Sequence, residues 1–133
     1  MDLETRLRSY YQAWCDRDLD AIVSCFTPTA TFEDLAFAAR FEGLDQIRGF
    51  AELTYAGAPD FHIDPTRIIA GDGAGAAAWT MSGTHSGDYP GLPATNERFE
   101  VRASSIVTFE GDLIASMVDY WSPLEFMRSV GLA

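Results

Sequence analysis

Arg98-Phe99-Glu100-Val101-Arg102-Ala103-Ser104-Ser105-Ile106-Val107-Thr108-Phe109, then Glu110-Gly111-Asp112, then Leu113-Ile114-Ala115-Ser116-Met117-Val118-Asp119-Tyr120-Trp121: this stretch decides the fold. Two runs rich in β-branched and aromatic residues flank a three-residue turn, the pattern of antiparallel strands joined by a tight hairpin. The pattern recurs upstream. Phe61 to Ala70 reads as a strand, Gly71-Asp72-Gly73 as a hairpin turn, and Ala74 to Ser86 as the returning strand. Between the hairpins, Gly87 to Asn96 contains two Pro and two Gly and reads as a long loop. After Trp121, Pro123 can start a short terminal helix with Phe126, Met127 and Val130 apolar.

The first half has a different period. Leu3, Leu7, Tyr10 and Trp14 fall on one helical face, with Tyr10 on the inward stripe. Asp18 is placed to cap a short second helix carrying Ile22, Val23 and Phe26, which Thr27-Pro28 ends. Ala30 to Asp34 reads as a short strand, and Gly43 to Leu53 as a third helix with Leu44, Ile47 and Phe50 on one side. Gly57-Ala58-Pro59 breaks the chain before the strands. Helices followed by an antiparallel meander predict an α+β domain with helices on one face of a curved sheet, a single unit over residues 1–133.

Composition narrows the function. The chain has 133 residues, enough for one core without staples. Twenty acids against nine bases give a net charge of −11, which repels phosphate backbones and anionic lipids, so neither nucleic acid nor membrane surface is an expected partner. All nine bases are Arg, so no lysine Schiff base and no P-loop lysine is available within this chain. Cys15, Cys25, His62 and His85 show no zinc-motif spacing, and the expectation is no metal and no cofactor. Met1-Asp2-Leu3-Glu4 does not begin a signal peptide and no apolar run is long enough to span a bilayer, which predicts a soluble, cytoplasmic protein.

Alternation along the last strand singles out one residue. Leu113, Ala115, Met117, Asp119 and Trp121 share one face, and Ile114, Ser116, Val118 and Tyr120 share the other. Asp119 is a carboxylate in an apolar row. On an internal face, desolvation raises its pKa and makes it an acid/base; at a strand end it reaches water or caps the Pro123 turn. On the preceding strand Arg102 alternates with Glu100, Ser104 and Ile106, opposite Val101, Ala103, Ser105 and Val107.

Several stretches together resemble the nuclear transport factor 2-like superfamily. They are Tyr10-Tyr11-Gln12-Ala13-Trp14, Asp18-Leu19-Asp20-Ala21-Ile22, Phe26, Ala30-Thr31-Phe32-Glu33-Asp34, and Phe41-Glu42-Gly43 with Ile47-Arg48-Gly49-Phe50. The segment Gly83-Thr84-His85-Ser86-Gly87-Asp88-Tyr89-Pro90-Gly91-Leu92-Pro93-Ala94-Thr95, with Arg98-Phe99 and Asp119-Tyr120-Trp121, is most similar to the SnoaL-like polyketide cyclases within it. The resemblance implies a cone-shaped α+β roll around a deep pocket and a ring-closing aldol condensation without metal or cofactor. Asp119 would be the acid/base, with His85 near the substrate; otherwise His85 shapes the Gly87–Asn96 loop. The chain also resembles the ketosteroid isomerases, which implies Asp34 as proton shuttle and Tyr10 as donor to an enolate oxygen. Their second donor position falls at Ser105. Limonene epoxide hydrolase is a poorer match, because no Arg-x-Asp occurs in Trp79 to His85.

The expected pocket wall draws on Tyr10, Trp14, Phe26, Phe37, Phe50, Trp79, Met81, Leu92, Ser105 and Met117, around Asp119, His85 and Asp34. It suits a small apolar ketone or polyketide-like ligand. A non-catalytic ligand-binding or dimerisation domain is the reading in which neither carboxylate matters. In the superfamily the outer sheet face packs on another subunit, so Ile106, Val118 and Tyr120 predict a homodimer.

Overall fold

The computed structural model describes all residues, Met1 to Ala133. The helix α1 spans Leu3–Cys15 and opens on Asp2, whose side chain accepts from the Thr5 N–H. Asp18 caps α2 (Leu19–Ser24) as expected, accepting from Ala21. Then follow β1 (Phe26–Asp34), β2 (Ala39–Glu42), α3 (Gly43–Gly57), β3 (His62–Gly71), β4 (Ala74–Thr84), β5 (Arg98–Glu110), β6 (Leu113–Trp121) and α4 (Pro123–Ser129). Ser122 caps α4 through Glu125 N–H, and Pro123 sits in its first turn, where its missing N–H is harmless.

The strands form one unclosed, curved sheet in the order β2-β1-β6-β5-β4-β3. Neighbours are antiparallel except β1 and β6, which run parallel, Asp34 beside Asp119. The β3–β4 turn places Asp72 and Gly73 in the left-handed region, at φ 53° and 75°, the geometry of a two-residue hairpin whose twist matches its strands. Helix α1 packs on β3, α3 on β1 and α4 on β5. The core between helices and sheet includes Leu7, Tyr11, Ile22, Phe32, Val101, Val107 and Ile114.

Four expectations need correction. Strand β1 starts at Phe26, not Ala30, so Phe26 belongs to the strand rather than to α2. Strand β2 is an additional element, and its four residues are too few to show alternation in the sequence. Helix α3 continues past Leu53 to Gly57. The β6 faces also switch phase. Thr108 pairs with Ser116 but Phe109 pairs with Ile114, so Ala115 bulges and Ile114 turns inward to full burial. Beyond the bulge Met117, Asp119 and Trp121 keep the inward register.

Candidate active site

The inner face of the sheet, α1, α3, α4 and the loop after β4 enclose a cavity of about 770 Å³, counted out to its open mouth. Its lining is aromatic: Trp14, Trp79 and Trp121, Tyr10, Tyr11 and Tyr89, with five Phe. Two carboxyls, Asp34 and Asp119, face it, and no Arg does.

The arrangement around Asp119 starts from three strands and a helix. On β5 Ser105 lies opposite Asp119, and on β4 Ala77, two residues before Trp79, lies opposite Ser105. Fully buried Ser105 donates its hydroxyl to Asp119 Oδ1 at 2.6 Å. Its oxygen accepts from Tyr11 Oη at 2.9 Å and from Trp79 Nε1 at 3.0 Å. Two donors thus fill the Ser105 lone pairs and point its only proton at Asp119. Burial pushes the Asp119 carboxyl up to about 8; the Ser105 bond opposes this and the nearby Asp34 adds to it. Oδ2 of Asp119 has no protein partner.

Asp34 ends β1, on the strand beside Asp119. Its Oδ1 accepts from Phe37 N–H at 3.1 Å and its Oδ2 from Trp121 Nε1 at 3.0 Å. Burial raises this carboxyl as well, while those N–H groups hold it back. Two desolvated carboxyls on adjacent strands resist double ionisation. Asp34, with both oxygens held by N–H donors, keeps the charge; Asp119, with one hydroxyl donor, keeps the proton.

Tyr10 lies one helical turn before Trp14 on α1, both against the cavity. Burial, then the Asp119 charge, raise the Tyr10 phenol well above its ordinary value, so it stays a donor. His85 faces inward from β4's end, as its parity with Trp79 and Met81 predicts. Its Nε2 lies 3.2 Å from Leu92 O and its Nδ1 3.1 Å from Thr95 Oγ1. A carbonyl only accepts, so Nε2 carries a proton, and the second nitrogen is taken by the loop hydroxyl. His85 therefore lines the cavity and also pins the loop that presents Tyr89 and Leu92.

Of the expected wall, Tyr10, Trp14, Phe37, Phe50, Trp79, Met81 and Leu92 line the cavity. Phe26, Met117 and Ser105 do not. Phe26 packs edge-on against Tyr10 from β1, Met117 is core, and Ser105 is sealed beneath Asp119. Sequence reasoning missed Tyr11 as the Ser105 partner, although Leu7, Tyr10, Tyr11 and Trp14 make one broad apolar arc. It also missed Trp121 on Asp34, and Tyr89, which stacks on Phe37 at 4.7 Å. His62 and Asp64 point outward, away from His85, and no cluster of three or more His, Cys, Asp or Glu forms.

An unclosed sheet wrapped on helices, with buried carboxyls in an aromatic cavity, defines a small-molecule pocket fold. Residues 7–117 match the SnoaL-like domain, and the chain belongs to that family. A protein with a ketosteroid isomerase-like fold from Catenulispora acidiphila, solved in complex with trimethylamine, is 21% identical with a TM-score of 0.87, covering 99% of this chain and 96% of that one. IdmH from Streptomyces antibioticus, a polyketide cyclase candidate, is 17% identical with a TM-score of 0.86, covering 98% and 99%. TsrD from Streptomyces laurentii is 20% identical with a TM-score of 0.86, covering 100% and 99%. These likenesses establish the shared fold. Sequence comparison with curated proteins gives no match. No helix is long and apolar enough to cross a membrane.

Proposed function

We propose that this chain is a cofactor-independent enzyme of the cyclase or isomerase type, which moves a proton beside the carbonyl of a small, largely apolar, polyketide-like ketone. Asp119 is its acid/base. One observation carries the reading: a buried carboxyl with one oxygen fixed by Ser105, the other free, and a pKa near 8, in an aromatic cavity. A carboxyl of ordinary pKa is a weak base toward carbon; one near the working pH is matched to take a proton and return it.

Ionised Asp119 takes the proton from the carbon next to the carbonyl, and the electron pair moves onto the carbonyl oxygen. The enolate then attacks a second carbonyl, or is reprotonated at another carbon, and Asp119 returns the proton. Tyr10 donates to the oxygen on which charge develops. Burial is what makes Asp119 basic; Asp34, whose charge is stabilised by the Phe37 and Trp121 N–H groups, adds to it as the neighbouring anion. A ligand without negative charge follows from two acids and no Arg at the wall. Family membership and the resemblance to IdmH support the cyclase side of this reading.

Exchange of the methyl protons of 2-acetonaphthone in D2O, followed by proton NMR, tests it. The wild type should accelerate exchange, with a rate rising about tenfold per pH unit and levelling above pH 8, and Asp119→Asn should lose about a hundredfold or more. Equal rates in both proteins overturn the assignment. A panel of ketones that bind without any exchange would make the chain a non-catalytic binding domain.

A further inference from the structure

We infer that Tyr11 and Trp79 are positioning residues for Asp119, acting through Ser105: their two protons commit the Ser105 hydroxyl to Oδ1 and leave Oδ2 as the oxygen that exchanges a proton with the ligand. The inference rests on the proposed chemistry for the use made of Oδ2, but the positioning itself rests on hydrogen bonds among buried groups. Tyr11, Ser105 and Trp79 are all buried, so their polar atoms are satisfied by one another. The direction of the chain is fixed. The Trp79 indole can only donate, so it takes one Ser105 lone pair. Burial, then the Asp119 charge, hold the Tyr11 phenol well above its ordinary value, so it keeps its proton, and Ser105 is its one hydrogen-bond partner. A reversed chain, with Ser105 donating to Tyr11, would leave the Tyr11 proton buried without an acceptor, which is costly. The Ser105 proton therefore goes to Oδ1.

That commitment divides the two oxygens of Asp119. A proton on Oδ1 would meet the Ser105 proton head-on, so the acid form carries its proton on Oδ2. Trp14 Nε1 is the only sealed side-chain nitrogen or oxygen without a partner. Oδ2 has no partner either, so it is not sealed, and it opens on the cavity that Asp119 lines. In the ionised form the same bonds act together. Two donors onto Ser105 polarise its hydroxyl and strengthen its bond to the carboxylate. Ser105 accordingly opposes the rise that burial imposes on Asp119. The other titratable groups that face Asp119 are Asp34 from β1 and Tyr10 from α1, with His85 and Tyr89 elsewhere on the cavity wall and no Arg. None of them donates to Asp119, so Ser105 is the one side chain that stabilises its charge by a hydrogen bond.

Carboxyl-carbon NMR on aspartate-labelled protein reads the ionisation constant of Asp119, its signal assigned by its loss in Asp119→Asn. Tyr11→Phe, which keeps the ring and removes only the hydroxyl, should lower that constant about threefold, and Ser105→Ala about tenfold or more. Adding Tyr11→Phe to Ser105→Ala should change it no further, because the path runs through Ser105. The pH at which 2-acetonaphthone exchange levels off should rise in step with the fall in the constant. A Tyr11→Phe effect of equal size in both backgrounds, or none in either, overturns the inference. If these variants do not fold, the Trp79 indole proton of the wild type is followed by 15N-resolved NMR. It should shift with the same midpoint as the Asp119 carboxyl and stay still in Asp119→Asn; a resonance that ignores that midpoint, or that titrates alike in both proteins, overturns the inference equally. The two readings fail separately. A constant that depends on Tyr11 through Ser105, in a protein that exchanges no ketone proton, keeps the positioning and sinks the proposed chemistry. Asp119-dependent exchange with a constant that ignores Tyr11 does the reverse.

Discussion

Asp119 couples charge to stability in a direction opposite to that of most surface carboxylates. Its pKa lies at 3.8 in an unfolded chain and near 8 in the fold, so between those values the folded state holds the extra proton. Stability therefore falls as pH rises through that window and is flat beyond it, because the unfolded chain releases its proton first. Asp119→Asn removes the ionisation while keeping an amide oxygen for the Ser105 hydroxyl at the Oδ1 position. The variant should match the wild type near pH 4, and exceed it at pH 9 by on the order of a few kcal/mol. Urea unfolding at four pH values between 4 and 9 checks this. Parallel curves for the two proteins would mean that residue 119 is hydrated and not a strained carboxyl. Asp34 shifts the same way with smaller amplitude, since Trp121 and the Phe37 amide stabilise its charge.

Among the elements, those with a strong local period were legible and those defined by partners were not. The β5–β6 hairpin, the caps at Asp18 and the turn at Asp72-Gly73 follow from residue type alone. The Ala115 bulge does not, because alanine carries no signal for an unpaired position, and it is what turns Ile114 into the core. The parallel β1–β6 pairing that sets Asp34 beside Asp119 joins residues far apart in sequence, which no local window reports. Nor does any window report that Ser105 gathers Tyr11, Trp79 and Asp119 from three elements. The two Pro and two Gly of residues 87–96 mark the loop after β4 as a loop, yet its anchoring is tertiary. Gly87 donates its N–H to Gly57 O at 3.0 Å, and a Cβ on it would lie 1.8 Å from Ala56 O. A Cβ is fixed by its own backbone and the atom it meets is a backbone oxygen, so no rotamer change relieves the contact. Gly87→Ala should cost about 1–3 kcal/mol and loosen the Tyr89–Phe37 stack, weakening 2-acetonaphthone as well. Gly49→Ala, where nothing lies within 4 Å of the added carbon, is the control and should not destabilise. Wild-type stability and affinity in Gly87→Ala would show that the loop is not held by this approach.

The whole molecule has two faces of opposite character, since the helices and α4 cover one side of the sheet and leave the other bare. On the bare side Ile69, Ala76, Ile106 and Val118 stand in register across β3, β4, β5 and β6 as one apolar row. Ile69 and Ile106 are 58% and 54% exposed, a large apolar display for a sheet this small. Tyr120 extends the row beside Ser104, and Arg102 with Glu125 borders it with charge. Such a row can meet its own copy about a two-fold axis, and two-fold dimers with isologous contacts are the commonest soluble homo-oligomers. A second copy is accordingly the expected occupant. The net charge of −11 on each chain opposes the pairing, so the association should strengthen as salt screens it. Sedimentation at micromolar concentration should give twice the 14.6 kDa chain mass, more completely at high salt than at low. Placing a charge in the middle of the row with Ile106→Glu should return the monomer without disturbing the cavity, because residue 106 points away from it. A monomer for the wild type at both salt concentrations would sink the idea and leave the row as a surface without a partner copy.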